Sequence, residues 1–145
     1  MTCGRICVRN VDTVKMTEAV VAAARRMHSR KVGTLVVVDE DQLPAGIVTD
    51  RDLVVRVLAE GLDPSRTTVR QAMSPVPASA SEETSIVDAL RIMQNGPFRR
   101  ILVVDSDQKL VGILSVDDVL LSLTDELTSI GRLLFAESPM SLAQR

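Results

Sequence analysis

The sequence predicts an α+β fold built from two copies of one unit, packed sheet to sheet as a pseudo-two-fold pair. Three observations carry that expectation. The motif VVVD at 36–39 returns as LVVD at 102–105, and GIVT at 46–49 returns as GILS at 112–115, at one offset (105 − 39 = 112 − 46 = 66). Carried back without a gap, the offset pairs Val21 with Val87, Ala23 with Ala89, Arg25 with Arg91 and Met27 with Met93; carried forward, it pairs Asp52 with Asp118. Within each copy a helical apolar period gives way to β-branched runs in the same order. The chain therefore divides into a first unit at 1–66, a second at 67–127 and a tail at 128–145. A unit of this size is marginal alone, so two units are expected to share one core and to leave two related clefts at their junction.

Each element follows from local chemistry. Between 17 and 29, Val20, Ala23, Ala24 and Met27 recur at helical spacing, as do Ile86, Ala89, Leu90 and Met93 in the second copy. β-branched runs at 34–38 and 101–104 then lead through the polar turns EDQ and SDQ into short apolar runs ending at Val48 and Leu114, which reads as a hairpin. A second helix follows Thr49 with Leu53, Val54, Val57 and Leu58, and follows Ser115 with Val119, Leu120 and Leu123. The stretch 62–68, LDPSRTT, has the composition of a linker, and 69–73 is expected to form a helical turn. The order per copy is strand, helix, strand, strand, helix. In the tail, Ile130, Leu133, Leu134 and Phe135 predict a last helix that packs on the pair or bridges to a partner subunit, and 138–145 is expected to be loose.

Composition excludes several function classes. With 145 residues, 46% apolar and 25% charged, the chain is that of a small soluble protein without room for a multidomain machine. Its net charge of −2 offers no basic field for a phosphate backbone, and Phe98 and Phe135 are its only aromatics, so no nucleic-acid partner is expected. Neither a signal peptide nor a membrane span is legible, and the expectation is a cytoplasmic protein without a membrane partner. Cys3 and Cys7 with the single His28 fall short of a zinc ligand set.

The residues at this point carry a family resemblance. The element order, the VVVD and LVVD strands, and the stretches GIVTDRD at 46–52 and GILSVDD at 112–118 resemble a tandem CBS-domain pair over nearly the whole chain to about Leu127. The resemblance implies a regulatory module that binds adenine nucleotides (AMP, ADP or ATP) or S-adenosylmethionine in one or both clefts. No obligatory cofactor is implied. Pairing into a flat homodimer of four units, and an effector protein that receives the signal, are implied with it.

The candidate site residues have two readings each. Thr49 and Ser115 fall between a strand and a helix, where backbone amides form an anion site, and Asp52 and Asp118 three residues on are placed to accept hydrogen bonds from a ribose diol. The same spacing is that of a capping box, with an acid where Glu or Gln is usual. Arg99 and Arg100 precede the second copy's strand, where related pairs often supply a cation for phosphate; the first copy has Gly33 and Thr34 there, with Arg30 and Lys31 as its nearest cations. On this basis a mononucleotide is expected to favour the cleft of Arg100 and Asp118. Val32 and Phe98 either sandwich a purine or pack in the core. Asp50 completes the first motif and, paired with Asp52, is able to hold Mg²⁺, as are Asp117 and Asp118, without a specific signal for it.

Catalysis finds little support. His28 aligns with Gln94 and ends a helix, and no Walker loop, G-x-S-x-G elbow or HExxH motif is present. The leading expectation is a sensor without chemistry of its own; the alternative is a structural or interaction subunit with empty clefts.

Overall fold

The computed structural model describes residues 1–76, 78–96 and 98–137; the expectation of a loose end at 138–145 lies outside these. The first sheet has the order β1 (Thr13–Lys15), β2 (Thr34–Val38), β3 (Pro44–Thr49), β4 (Ser74–Pro75), and the second β5 (Ser79–Ser81), β6 (Arg100–Val104), β7 (Leu110–Ser115). In each, the first pairing is parallel and the hairpin antiparallel, and the registers repeat at the offset of 66: Val37 lies opposite Gly46, and Val103 opposite Gly112. Helix α2 (Val20–Arg30) covers the first sheet and α5 (Ile86–Asn95) the second. Alternation along the strands sorts the core into three parts. Leu35 and Val37 pack on α2, Ile101 and Val103 pack on α5, and Val36, Val38, Ile47 and Leu102 meet between the two sheets. The sheet-to-sheet arrangement therefore rests on every second residue of the β-branched runs.

The cores cross the repeat boundary expected at 66/67. The short helix α1 (Cys3–Ile6) places Cys3 in the second core with Ile86 and Leu114, while the short helix α4 (Val69–Ala72) places Val69 and Ala72 in the first core with Val20 and Val57. Matching hydrogen bonds fix both exchanges: the Cys3 amide donates to the Thr84 carbonyl at 2.8 Å, and the Val69 amide to the Glu18 carbonyl at 2.8 Å. Each repeat thus inserts its first helical turn into the other repeat. The TCGRIC segment at 2–7 is the counterpart of TVRQAM at 68–73, a pairing that weak side-chain likeness hides in the sequence.

After the motifs, the two copies diverge. Helix α3 (Asp50–Leu53) continues into a wider π-helical turn at Val54–Leu58 and stops, whereas α6 (Val116–Ala136) runs for 21 residues. The tail helix expected as a separate element at 128 is the second half of α6. Nothing at 124–130 breaks a helix, and the Thr128 hydroxyl donates to the Thr124 carbonyl at 2.9 Å without interrupting it.

Candidate functional site

The strand-to-helix junctions form capping boxes in both repeats. The Thr49 hydroxyl accepts from the Asp52 amide at 3.1 Å while Asp52 Oδ2 accepts from the Thr49 amide at 2.9 Å. Ser115 and Asp118 repeat this at 3.1 and 2.8 Å, and the Ser115 hydroxyl adds a 2.7 Å bond to the same carboxylate. The capping reading of the motif is thus realised. It leaves Asp52 Oδ1 with only a loose contact, 3.9 Å from Arg56 Nε, and Arg56 in turn donates to the Met73 carbonyl at 2.8 Å. Position 122, the counterpart of Arg56, is Ser, so the second motif has no such clamp.

The motif glycines have a separate task. A Cβ on Gly46 would overlap the Ser74 carbonyl oxygen, and a Cβ on Gly112 would stand 2.5 Å from the Val8 carbonyl oxygen. Each glycine lets a segment from the other repeat run against the motif strand, and those segments, Ser74–Pro75 and Val8, become cleft walls.

Two cavities of similar size, about 280 Å³ and about 300 Å³, flank Thr34 and Arg100 at the junction. Cleft one is lined by Thr49 and Asp52 from the first repeat and by Phe98, Arg99 and Arg100 from the second, with Thr34, Ile47 and the Ser74–Pro75 strand closing it. Cleft two is its pseudo-two-fold mate: Val32, Gly33 and Thr34 face Val8, Ile113 and Arg100. Thr34 and Arg100 are counterparts at the offset of 66, and both line both clefts. Their strand registers explain why, since Thr34 lies opposite Thr49 and Arg100 opposite Ser115.

These positions change the expected pairing of cation and motif. Arg99 and Arg100 reach the cleft of Asp52, because the loop before β6 faces the first repeat's motif across the junction. The missing cation at Gly33 and Thr34 is therefore supplied from the other repeat. Arg99 Nη2 stands 3.7 Å from Asp117 Oδ1 in an exposed, weak pair, which leaves the guanidinium free to turn. Of the remaining candidates, Val32 lines cleft two and also packs on the first core. Asp50 lines neither cleft; its Oδ2 lies 2.9 Å from the position a Gly33 Cβ would take. Ser115, Asp118 and Lys31 are not among the lining residues either, and Lys31 caps α2 in the left-handed conformation at φ 57°. Sequence reasoning does not name Thr34, Ile47, Ser74, Asn10 or Ile113 as cleft residues; the offset, which pairs Thr34 with Arg100 and Ile47 with Ile113, is the signal for three of them.

Burial pushes the thiols of Cys3 and Cys7 above the usual cysteine range, with each other's charge adding for Cys3 and Glu82 and Asp118 adding for Cys7. A raised thiol pKa disfavours the reactive thiolate form. Among the described residues, no three His, Cys, Asp or Glu side chains gather as a metal site, and no helix is long and apolar enough to cross a membrane.

Comparison with known proteins agrees with this architecture. The CBS-domain family model matches residues 3–59 and 69–125. An uncharacterized protein of Methanopyrus kandleri, MK0525, is 34% identical over 117 residues, covering 81% of this chain and 60% of that protein. The chain spans only 17–20% of two CBS domain-containing proteins of Arabidopsis thaliana that it also matches. Among solved structures, Hypoxic Response Protein I with two coordinated zinc ions superposes with a TM-score of 0.73 at 31% identity, over 83% of this chain and 97% of that one. CBSX2 in complex with AMP superposes with a TM-score of 0.72 at 30% identity, over 86% and 96%.

Proposed function

The chain belongs to the CBS-domain family as a tandem pair, and from that premise we propose that it is a regulatory module that senses an adenine nucleotide or related adenosyl ligand in cleft one. The observation that carries the reading is the meeting, across the repeat junction, of Thr49 and Asp52 with Phe98, Arg99 and Arg100. Each group suits one part of such a ligand. The Arg99 and Arg100 guanidinium groups offer charge-assisted forks for phosphate. Asp52 has a lone pair set free of the capping box for a ribose hydroxyl, and the Phe98 ring with Ile47 gives an apolar slot for a purine. The AMP complex of CBSX2 supports the ligand class. AMP, ADP, ATP and S-adenosylmethionine are the candidates, none as an obligatory cofactor, and the module performs no reaction itself. A cytoplasmic location and an effector protein that reads the bound state belong to the same proposal.

The proposal includes a homodimer. Along α6, Leu120, Leu123, Leu127, Ile130 and Leu134 alternate spacings of three and four and stand 44–68% exposed, the seam of a helix that pairs with another helix. Val54, Val55 and Leu58 extend the apolar surface onto the first repeat. Two copies related by a two-fold axis would cover both.

A second reading is favoured by the capping boxes, which satisfy both motifs without a ligand: the chain would then be a structural subunit. Thermal-shift measurement against AMP, ADP, ATP and S-adenosylmethionine separates the two. A ligand at 100 times its dissociation constant stabilises the native state by about 2.7 kcal/mol and must raise the melting temperature. No rise with any of the four would leave the structural reading standing.

A further inference from the structure

The two clefts are nearly equal in volume and related by the same pseudo-two-fold, yet their charges differ. We propose that the chain binds one nucleoside phosphate rather than two, because cleft two sets the Asp12 carboxylate against a single guanidinium where cleft one offers two guanidinium groups; this rests on the nucleotide reading above. In cleft one the described charged lining is Asp52, Arg99 and Arg100, an excess of one positive charge. In cleft two it is Asp12 and Arg100, with no excess.

Each cleft carries one carboxylate, so the differences are the second guanidinium that cleft two lacks and the wall position its carboxylate, Asp12, takes. Asp12 and Ala78 hold the same backbone position, since the Val36 amide donates to the Asp12 carbonyl at 3.1 Å and the Leu102 amide to the Ala78 carbonyl at 3.0 Å. Only the first repeat puts a carboxylate there. Among the described residues its ion-pair partner is Arg30, at 2.8 Å, whose side chain is 62% exposed and is not among the residues lining the cavity. A phosphate entering cleft two would meet Asp12 at the wall while the balancing charge lies behind it. The opposite corner adds to this. Where cleft one has Arg99, cleft two has Gly33, and the Asp50 carboxylate fills the space beside that glycine. Among the described residues Arg100 is the guanidinium that borders both cavities, so its attraction is available to only one phosphate at a time. The apolar walls Val32 and Ile113 remain suited to an uncharged nucleoside.

The test is isothermal titration of the full chain with AMP and with adenosine. Expected for the wild type are one AMP and two adenosines per chain, any second AMP being at least about tenfold weaker. Asp52→Asn should weaken the single AMP site, and Asp118→Asn should leave it intact. Asp12→Asn keeps an oxygen for Arg30 while removing the charge; combined with Asp50→Asn, it should bring a second AMP to the chain. Should the pair of changes unfold the protein, Asp12→Asn alone is expected to tighten the second site. Two AMP molecules of similar affinity on the wild type would overturn the inference while leaving the nucleotide reading in place. One adenosine per chain, or no second AMP on a folded variant, would overturn it too. Absence of binding by both probes would overturn the inference and remove AMP from the candidate ligands.

Discussion

Replacing Asp52 with Asn separates the two tasks the structure gives that carboxylate. In the free protein Asp52 Oδ2 accepts from the Thr49 amide and Oδ1 faces Arg56 at 3.9 Å. Asn retains an acceptor for the amide, so what is lost is charge: about 0.3–1 kcal/mol against the helix amides, and about 0.2–1 kcal/mol from a long pair whose arginine is 46% exposed. The sum is about 1 kcal/mol, or a fall of about 3–5 °C in melting temperature for a chain of this length. Binding loses more. A charged hydrogen bond to a ribose hydroxyl is worth roughly 1.5–3 kcal/mol, so nucleotide affinity should fall about 10- to 100-fold. Differential scanning calorimetry of the free variant and titration with AMP read the two numbers independently. A melting temperature lowered by more than about 10 °C with AMP affinity unchanged would show that Asp52 is only a cap, and would refute the ligand reading of the motif.

Other consequences follow from the same geometry. Gly46→Ala forces a methyl group against the Ser74 carbonyl and should cost about 1–3 kcal/mol, read as a lower melting temperature, while also displacing a wall of cleft one and weakening AMP. An unchanged melting curve would mean that the β4 strand yields freely. The hydrogen bonds from Arg26 hold the Glu18 carboxyl below its usual value, with the Lys15 amide adding to the effect. Its folded-state pKa is depressed, so its stabilisation is present above the unfolded value near 4.5 and fades as pH falls through the folded one. Glu18→Gln should therefore narrow the stability difference between neutral and acid pH in denaturant titrations, and an unaltered pH profile would contradict the assignment. Leu127→Glu with Ile130→Glu should convert a dimer to a monomer in light scattering; a monomeric wild type at micromolar concentration would instead remove the proposed helix pairing.

What was legible in the sequence was what repeats. The offset of 66 predicted two units with one element order, and the β-branched runs at 34–38 and 101–104 predicted the hairpin strands. Three features escaped for physical reasons. The exchange of α1 and α4 depends on Cys3, Gly4 and Arg5 standing where the second copy has Val69, Arg70 and Gln71, a likeness of backbone hydrogen bonding that side-chain comparison does not see. The continuity of α6 depends on the absence of a breaker before Gly131, whereas the apolar pattern alone suits either one helix or two. The site shows the same division. The capping spacing of Thr49 with Asp52 is local and was readable, but the partner of Arg100 is set across the junction, where sequence distance carries no information. Pairing Arg100 with Asp118 treats each repeat as a closed unit; the crossing of the chain brings Arg99 and Arg100 to Asp52 as well, with Arg100 bordering both clefts.

The central claim is that a phosphorylated adenosine ligand is gripped across the junction, its phosphate by arginines from the second repeat. Its most direct test is the ratio of AMP to adenosine affinity at cleft one in Arg99→Ala/Arg100→Ala against wild type. Each charge-assisted hydrogen bond removed is worth roughly 1.5–3 kcal/mol, so AMP should weaken by about tenfold or more while adenosine changes less than about twofold. Equal losses for the two ligands, or none for either, would show that neither arginine touches phosphate.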